Sequence, residues 1–262
     1  MKRVFITGAS SGIGAALAAE YARQGACVAL VARRADMLET LRAGLAQPER
    51  HRIYALDVTD HAALAQAAHD FMAAAGGIDI VIANAGISRG TLTEYAEDME
   101  VFARIVETNL LATVATFSPF VAAMKTQACN GERGCRLVGI ASVAGIRGLP
   151  GASAYSASKA AVTSYCESLR VELHGSGVKV VTILPGYIDT PMTQSNSYPM
   201  PFLMPVEKFA AAALATIAAG SSYRVIPWQM GVVAKLLRSL PNWLYDAAFS
   251  RAPHKARAGS EP

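Results

Sequence analysis

The chain has 262 residues, of which 52% are hydrophobic and 17% charged, and its formal net charge is +4 at pH 7. This length and composition exclude a disordered chain and predict one large α/β domain with a substantial core. The four cysteines form no CxxC pair: Cys27, Cys129, Cys135 and Cys166. They favour reduced thiols over a disulfide or zinc framework, and we expect no metal site.

The charge is unevenly distributed along the chain. After position 223 there are six basic residues against two acidic ones, whereas the first 223 residues carry 18 of each. This excess is too small for a nucleic-acid footprint, so we expect no nucleic-acid partner. The apolar run before Gly8 is too short for a secretory signal, and residues 209–219 are too few to span a bilayer. Both features favour a cytoplasmic protein.

Apolar runs typical of strands alternate with patterns typical of helices. The predicted strands are residues 3–7, 27–32, 52–56, 78–83, 135–141 and 178–184. The predicted helices are residues 12–24, 34–46, 60–74, 98–124 and 153–174. This alternation predicts an α/β domain over residues 1–227, a doubly wound parallel sheet with helices on both faces. Residues 186–205 show no clear period and predict a mobile loop over the site.

A glycine-rich turn follows the first predicted strand and opens the first helix. Gly8, Gly12 and Gly14 allow the backbone to turn tightly and approach a pyrophosphate, while the helix N-terminus supplies N–H donors. The residues between them complete the predicted phosphate site: Ser10, Ser11 and Ile13. A plain turn is the alternative, but the position after the first strand of a βαβ unit favours dinucleotide binding.

Two arginines, Arg33 and Arg34, follow the second predicted strand, where an NAD site usually has an acidic residue for the ribose 2′-hydroxyl. A guanidinium can instead make bidentate contacts with a 2′-phosphate, which favours NADP(H) as cofactor. The alternative is that the arginines are solvated residues at the start of the next helix. That interpretation suits Arg34 better than Arg33.

Two further strand ends are candidates for cofactor contact. After the third strand, Asp57, followed by Val58, could accept a hydrogen bond from the adenine amino group, or it could cap a turn before the next helix. After the fourth strand, Asn84, Ala85 and Gly86 would bring the backbone close to the cofactor. An ordinary turn is again the alternative.

Tyr155 and Lys159 lie four residues apart in a predicted helix, and therefore on one face of it. A tyrosine with its ordinary pKa near 10 exchanges protons poorly at neutral pH. A positive charge at Lys159 would favour the phenolate and lower that pKa. The Ser142 hydroxyl could then hold a carbonyl or alcohol oxygen beside the phenol. These groups predict acid/base catalysis of a carbonyl–alcohol interconversion.

The motifs together resemble the short-chain dehydrogenase/reductase family over about residues 3–225. They are TGASSGIG at 7–14, NAG at 84–86, Asn109, Ser142, YSASK at 155–159 and PGYIDT at 185–190. The resemblance implies a Rossmann-like fold that binds NAD(P)(H), often in a homodimer or homotetramer. It implies that Tyr155 is the general acid/base and that Ser142 orients the substrate oxygen.

The resemblance also implies roles for residues around this pair. Lys159 would lower the tyrosine pKa and hydrogen-bond the nicotinamide ribose, and Asn109 would hold a water in a proton relay leading to Lys159. The turn at Pro185 and Gly186, with Ile188 and Thr190, would contact the nicotinamide end. Taken singly, each polar residue could equally be a cap, a structural donor or a solvated side chain.

The expected substrate pocket is largely apolar. Besides Ser142, its main predicted residues are Val143, Leu149, Tyr187 and Met192. Further candidates are Ile87, Ala144, Phe202, Leu203 and Met204. Such a pocket suits an apolar ketone or secondary alcohol. The alternative is that many of these side chains only pack the loop against the domain.

Residues 228–262 form a basic C-terminal extension of the same domain. Between positions 229 and 240, apolar residues recur at helical spacing: Val232, Val233, Leu236, Leu237 and Leu240. Pro241 ends this helix or starts another. We expect the stripe to pack on the parent domain or across a subunit interface. A lid over the cleft is one alternative, and peripheral membrane contact through Trp228 and Trp243 is another.

The sequence thus predicts an NADP(H)-dependent oxidoreductase that interconverts a carbonyl and a secondary alcohol on a small apolar substrate. One alternative is an NADP(H)-sensing regulatory protein without turnover. The complete set of Asn109, Ser142, Tyr155 and Lys159 argues against it, because a sensor needs no proton relay. The other alternative is a membrane-associated lipid-carbonyl reductase.

Overall fold

The computed structural model describes residues 1–131, 134–194, 196, 198–250, 255 and 257. The strands are β1 (Arg3–Thr7), β2 (Cys27–Ala32), β3 (Arg52–Ala55), β4 (Ile80–Ala83), β5 (Arg136–Ile140), β6 (Lys179–Pro185), β7 (Ile188–Asp189), β8 (Met204–Pro205) and β9 (Tyr223–Ile226). The helices are α1 (Gly12–Arg23), α2 (Ala35–Gly44), α3 (His61–Ala75), α4 (Asp98–Val106), α5 (Ala112–Cys129), α6 (Ser153–Glu172), α7 (Pro191–Gln194), α8 (Val206–Ala219), α9 (Trp228–Ser239) and α10 (Asn242–Phe249). A π-helical turn, Glu107–Leu111, joins α4 to α5.

Seven strands form one parallel sheet in the order β3-β2-β1-β4-β5-β6-β9. The strand order reverses between β1 and β4, where a crevice opens at the carboxyl ends of an α/β sheet. All six residues of β2 are buried, as expected for a strand covered on both faces. The predicted doubly wound parallel sheet is confirmed.

The core has two layers, one on each face of the sheet. Helices α1, α2 and α8 cover one face and bury Leu17, Leu38 and Phe209. Helices α3, α5 and α6 cover the other face, where Phe71 and Phe120 are completely buried. Both layers leave the carboxyl ends of the strands uncovered, and the candidate site lies there.

The sequence-based prediction differed from the structure in four elements. The single helix expected over residues 98–124 is interrupted by the π-helical turn and continues to Cys129. Helix α8 and strand β9 were not predicted, because an alanine run has no clear polar face and β9 is short and half exposed. The loop over 186–205 contains ordered elements of its own, since β7 pairs with β8 in parallel.

Among the residues that the structure describes, one helical run, Asp98–Cys129, is long and apolar enough to cross a membrane by length and composition. Its large side chains Phe117, Phe120 and Met124 are completely buried in the core layer against the sheet. The run is therefore accounted for as a core helix of the doubly wound fold.

The extension packs on the domain through Arg147, in the loop after β5. Its Nη1 donates hydrogen bonds to the carbonyls of Leu237 (2.6 Å) and Leu240 (2.8 Å) at the end of α9. Its Nη2 donates to Asn242 Oδ1 at 3.1 Å, and the guanidinium lies 3.9 Å from the ring centroid of Tyr245. One arginine thus satisfies the last carbonyls of α9 and stacks on α10.

The predicted apolar stripe of α9 is only partly buried. Val232 is 48% exposed and Leu236 64% exposed, whereas Met230 and Ala234 are the buried residues of this helix. The face that packs on the domain is therefore rotated from the one expected from the spacing of large apolar residues.

Candidate active site

The glycine-rich turn is connected to the end of β4 by side-chain hydrogen bonds. Asn84 Nδ2 donates hydrogen bonds to the carbonyls of Thr7 (2.9 Å) and Gly8 (3.2 Å). Gly8 and Gly12 have positive φ angles of 67° and 54°, which favour glycine. A Cβ at Gly14 would collide with the Gly8 carbonyl and with Asn84 Nδ2. The turn therefore requires glycine at these places, and Asn84 supports the turn with its side chain.

The two arginines after β2 take different partners. Arg34 Nη2 donates to Ser10 Oγ in the glycine-rich turn at 3.3 Å. Arg33 Nη1 lies 3.7 Å from Asp57 Oδ2 in an exposed ion pair. The sequence favoured Arg33 as the cofactor contact and Arg34 as the solvated residue, but both line the cleft, and Arg34 is the one that reaches the glycine-rich turn.

Asp57 is held in a local turn. Its Oδ1 accepts hydrogen bonds from the backbone N–H (3.0 Å) and the hydroxyl (2.9 Å) of Thr59. Partial burial raises the pKa of this carboxyl, but the Thr59 hydrogen bonds and the Arg33 charge outweigh it and keep the pKa below its usual value. The turn-capping alternative is thus seen directly, and contact with an adenine stays a prediction.

Asn109 lies in the π-helical turn and is completely buried. Its Oδ1 accepts from the N–H of Ile87 (2.8 Å), and its Nδ2 donates to the Ile87 carbonyl and to Ser158 Oγ, both at 3.0 Å. The amide therefore connects the segment after β4 to α6. All of these side-chain contacts are with the protein, and the relay water stays a prediction.

Tyr155 and Lys159 lie on α6, and Ser142 follows β5. Ser142 Oγ accepts from the N–H of Ala144 at 3.2 Å, and its hydroxyl is close enough to the Tyr155 phenol to lower the pKa of that phenol. Lys159 is 5% exposed, and its Nζ donates to the carbonyl of Ile140 at 2.8 Å. Ser142 is thus both the turn cap and the partner of the phenol, which were separate interpretations of the sequence.

The expected lowering of the Tyr155 pKa by Lys159 is not what the structure gives. Burial raises the pKa of Tyr155, and the hydrogen bond from Ser142 only opposes that rise. Lys159 Nζ lies 5.9 Å from the Tyr155 ring centroid and is bonded to the Ile140 carbonyl instead. Burial likewise lowers the pKa of Lys159 to about 8. Desolvation is therefore the main cause of the pKa shift of both side chains in this state.

A cleft of about 600 Å³ runs along the carboxyl ends of the strands. All predicted cofactor residues except Gly14 line it. Several lining residues were missed by the sequence analysis; two of them, Arg104 and Thr108, were missed because the pattern of a long helix did not show which side faced the cleft. The volume, the glycine turn and the N-terminus of α1 fit a nicotinamide dinucleotide. No group of His, Cys, Asp and Glu that could hold a metal occurs among the residues that the structure describes.

A second cavity, of about 300 Å³, adjoins the cleft. Ser142, Tyr155, Gly186, Met192 and Thr193 line both spaces. All five predicted substrate residues line the cavity, which is mostly apolar. The phenol and the serine hydroxyl thus stand between a dinucleotide-sized cleft and an apolar chamber.

Some pocket candidates lie elsewhere, and other lining residues were missed. Phe202 and Leu203 are 50% and 44% exposed and do not line the cavity, and Met204 packs in the core layer through β8. Tyr198 and Phe249 line it unexpectedly. The apolar composition of the loop showed that it covers the site, but nothing in the spacing showed which side chains point inward.

After Ser250 the structure describes two residues, Lys255 and Arg257. Lys255 lines the cavity and donates to Ser88 Oγ at 3.2 Å. Arg257 donates through Nε to Asp98 Oδ2 at 2.8 Å and through Nη2 to Glu97 Oε1 at 3.1 Å. The described part of the extension therefore contributes Lys255 to the wall of the cavity, and the lid alternative stays a prediction.

A family model described as short chain dehydrogenase matches residues 2–200. An uncharacterized oxidoreductase of Myxococcus xanthus is 40% identical over 256 residues, covering 95% of this chain and 97% of that protein. A 2-dehydro-3-deoxy-L-rhamnonate dehydrogenase (NAD(+)) of Sphingomonas sp. is 38% identical over 187 residues, 71% of this chain and 72% of that protein. Among solved structures, a 3-ketoacyl-(acyl-carrier-protein) reductase from Brucella melitensis complexed with NADH has a TM-score of 0.78 at 26% identity, covering 86% of this chain and 96% of that one.

Proposed function

The chain belongs to the short-chain dehydrogenase family, and we propose that it interconverts a carbonyl and a secondary alcohol with NADP(H) on a mostly apolar substrate. The family makes it an oxidoreductase that acts on alcohol or carbonyl groups of small molecules with a nicotinamide cofactor. One observation carries the finer proposal: Ser142 and Tyr155 line both the cleft and the apolar cavity. A substrate in the cavity would meet them beside the cofactor.

The proton chemistry is assigned to three side chains. When bound, the nicotinamide supplies or takes up the hydride at the substrate carbon. Ser142 holds the substrate oxygen, and the Tyr155 phenol gives its proton to that oxygen in reduction and takes it back in oxidation. Lys159 has a pKa of about 8 and so remains mostly charged at neutral pH, which keeps a positive charge 5.9 Å from the centre of the Tyr155 ring.

The preference for NADP(H) is supported by Arg33 and Arg34, because both line the cleft after β2. Two of the similar proteins carry NAD or NADH in their names, so cofactor choice is the part of the proposal to test first. We expect NADPH to exceed NADH in kcat/KM. Replacing both arginines, R33S/R34S, should lower kcat/KM for NADPH by about 10- to 100-fold, since a charge-assisted hydrogen bond contributes about 1.5–3 kcal/mol.

The control for this test is Arg42→Ser. Arg42 lies on α2, pairs with Glu39 and does not line the cleft. It should leave the ratio of the two cofactors unchanged. A wild-type preference for NADH, or an unchanged ratio in R33S/R34S, would contradict NADP(H) specificity and leave the assignment of Tyr155 standing.

The exposed apolar side chains of the extension favour a second proposal, which concerns the association of the chain with other copies of itself. Trp228 and Trp243 are 68% and 72% exposed. We expect these side chains to be buried in a homodimer or homotetramer, with peripheral membrane contact as the competing role. Light scattering of W228S/W243S should show a smaller assembly than wild type. Sedimentation of wild type with anionic vesicles, lost in the same variant without a change of mass in solution, would favour the membrane instead.

A further inference from the structure

The cavity contains a lysine that the proposed chemistry does not use. Lys255 lines the apolar chamber together with Tyr155 and Phe249. Its Nζ donates a hydrogen bond to the neutral hydroxyl of Ser88 at 3.2 Å. A lysine on a free tail would normally extend into water, so its place inside a mostly apolar cavity needs an explanation.

A separate set of contacts holds Lys255 in place. Two residues further on, Arg257 is bound by what we call the clasp: Tyr95, Glu97 and Asp98. Its guanidinium lies 3.5 Å from the Tyr95 ring centroid and donates to both carboxylates. Asp98 is itself buried and also accepts from the N–H of Leu92 at 2.8 Å, so the clasp is fixed to the domain. Arg257 also forms an isolated parallel bridge with Gly90.

The charge in the cavity is not balanced by the protein. Among the described lining residues none is an aspartate or glutamate. Burial and the nearby positive charge of Arg89 lower the pKa of Lys255. A desolvated ammonium without a carboxylate is unfavourable unless a ligand supplies the opposite charge. The apolar lining in turn suits the uncharged part of such a ligand.

We propose that the cavity selects carbonyl or alcohol substrates that carry a carboxylate, which pairs with Lys255 while the apolar walls hold the rest of the molecule. Arg257 is the positioning residue that keeps Lys255 at the cavity. The inference rests on the proposed function and deepens it, because it narrows the predicted substrate class from apolar molecules in general to apolar molecules with a carboxylate at one end.

The test compares keto acids of graded chain length with their methyl esters, using NADPH and the full chain. We expect wild type to prefer the acid of the best pair by about tenfold or more in kcat/KM. Lys255→Met should reduce the acid-to-ester ratio by a similar factor, mainly through KM for the acid, and Lys255→Arg should restore part of it. Arg257→Gln should reduce the ratio less, with partial recovery in Arg257→Lys.

Lys235→Met is the matched control, because Lys235 lies exposed on α9 of the same extension. It removes the same charge and should leave the ratio unchanged. Equal turnover of acid and ester by wild type, or an unchanged ratio in Lys255→Met, would overturn the inference while leaving the proposed function intact. Absence of turnover on acids and esters alike would contradict the proposed function instead.

A binding measurement keeps the two questions separate. In the presence of NADP⁺, which cannot reduce them, keto acids should raise the Tm of wild type more than that of Lys255→Met. An equal rise in both proteins would overturn the role of Lys255 without reference to turnover.

Discussion

The cofactor cleft and the substrate cavity share Ser142 and Tyr155 but are built in different ways. The cleft is formed by backbone turns at neighbouring strand ends, for example at Gly8 and Gly86. The cavity collects side chains from segments far apart in sequence, from Ser88 to Lys255. The proposed proton chemistry thus depends on sheet geometry, whereas the proposed substrate selectivity depends on loops and on Lys255, which can vary without disturbing the sheet.

The largest effect is expected where the two regions meet. Tyr155→Phe should lower kcat/KM by about 10²–10⁴-fold, because positioned general acid–base catalysis contributes that much. NADPH binding and the Tm should stay close to wild type. The matched control is Tyr198→Phe, which removes a phenol from the cavity alone and should cost much less. Near-normal turnover in Tyr155→Phe would exclude the proposed proton transfer.

A second prediction concerns the cost of burying Lys159 in the cleft. Its pKa is about 8 in the folded chain, against about 10.4 when unfolded. Between these values the unfolded state binds more protons, so the free energy of unfolding should rise with pH, by about 1.4 kcal/mol per unit of pKa difference. Below pH 8 the full penalty is present.

Urea unfolding of wild type and Lys159→Met at several pH values measures this effect. From pH 8 to 10, the free energy of unfolding of wild type should rise relative to that of Lys159→Met. A constant difference over that interval would show that Lys159 is not desolvated as the structure indicates.

A third prediction tests whether cofactor binding in the cleft requires the close backbone packing at Gly14. Gly14→Ala places a Cβ against the Gly8 carbonyl, so it should destabilise the fold by about 1–3 kcal/mol and weaken NADPH binding. Gly44→Ala is the control, since a Cβ there meets nothing within 4 Å, and it should stabilise by up to about 1 kcal/mol. Equal NADPH affinity in both variants would show that cofactor binding does not depend on the close packing of the glycine-rich turn.

A fourth prediction, similar in size to the third, concerns the junction of the extension with the domain. Arg147→Ala leaves the carbonyls of Leu237 and Leu240 without their donor and should lower the free energy of unfolding by about 1–3 kcal/mol. Because Arg147 does not line the cleft, the NADPH affinity should not change. Arg238→Ala, an exposed arginine of α9, is the control. A loss of NADPH affinity in Arg147→Ala would mean that the packing of the extension is coupled to the cofactor cleft.

The fold and much of the cleft could be predicted because their signals are local. Tyr155 and Lys159 share a helix, and Gly8 follows a strand, so periodicity places them. The partners of Asn109 and Arg34 could not be predicted, because they depend on how distant elements pack. Lys255 was missed for the same reason: no spacing in the sequence connects it with Ser88, and a tail cation normally suggests a solvated residue.

The two outer strands of the sheet have a consequence for how copies of the chain meet. β3 begins with Arg52 and β9 contains Arg224, and both residues are exposed. Charged side chains on an edge strand disfavour pairing with another strand, because joining two such edges would bring like charges together and desolvate them. We therefore expect self-association to proceed through helical faces, and the open edges to resist the strand-by-strand growth that leads to aggregation.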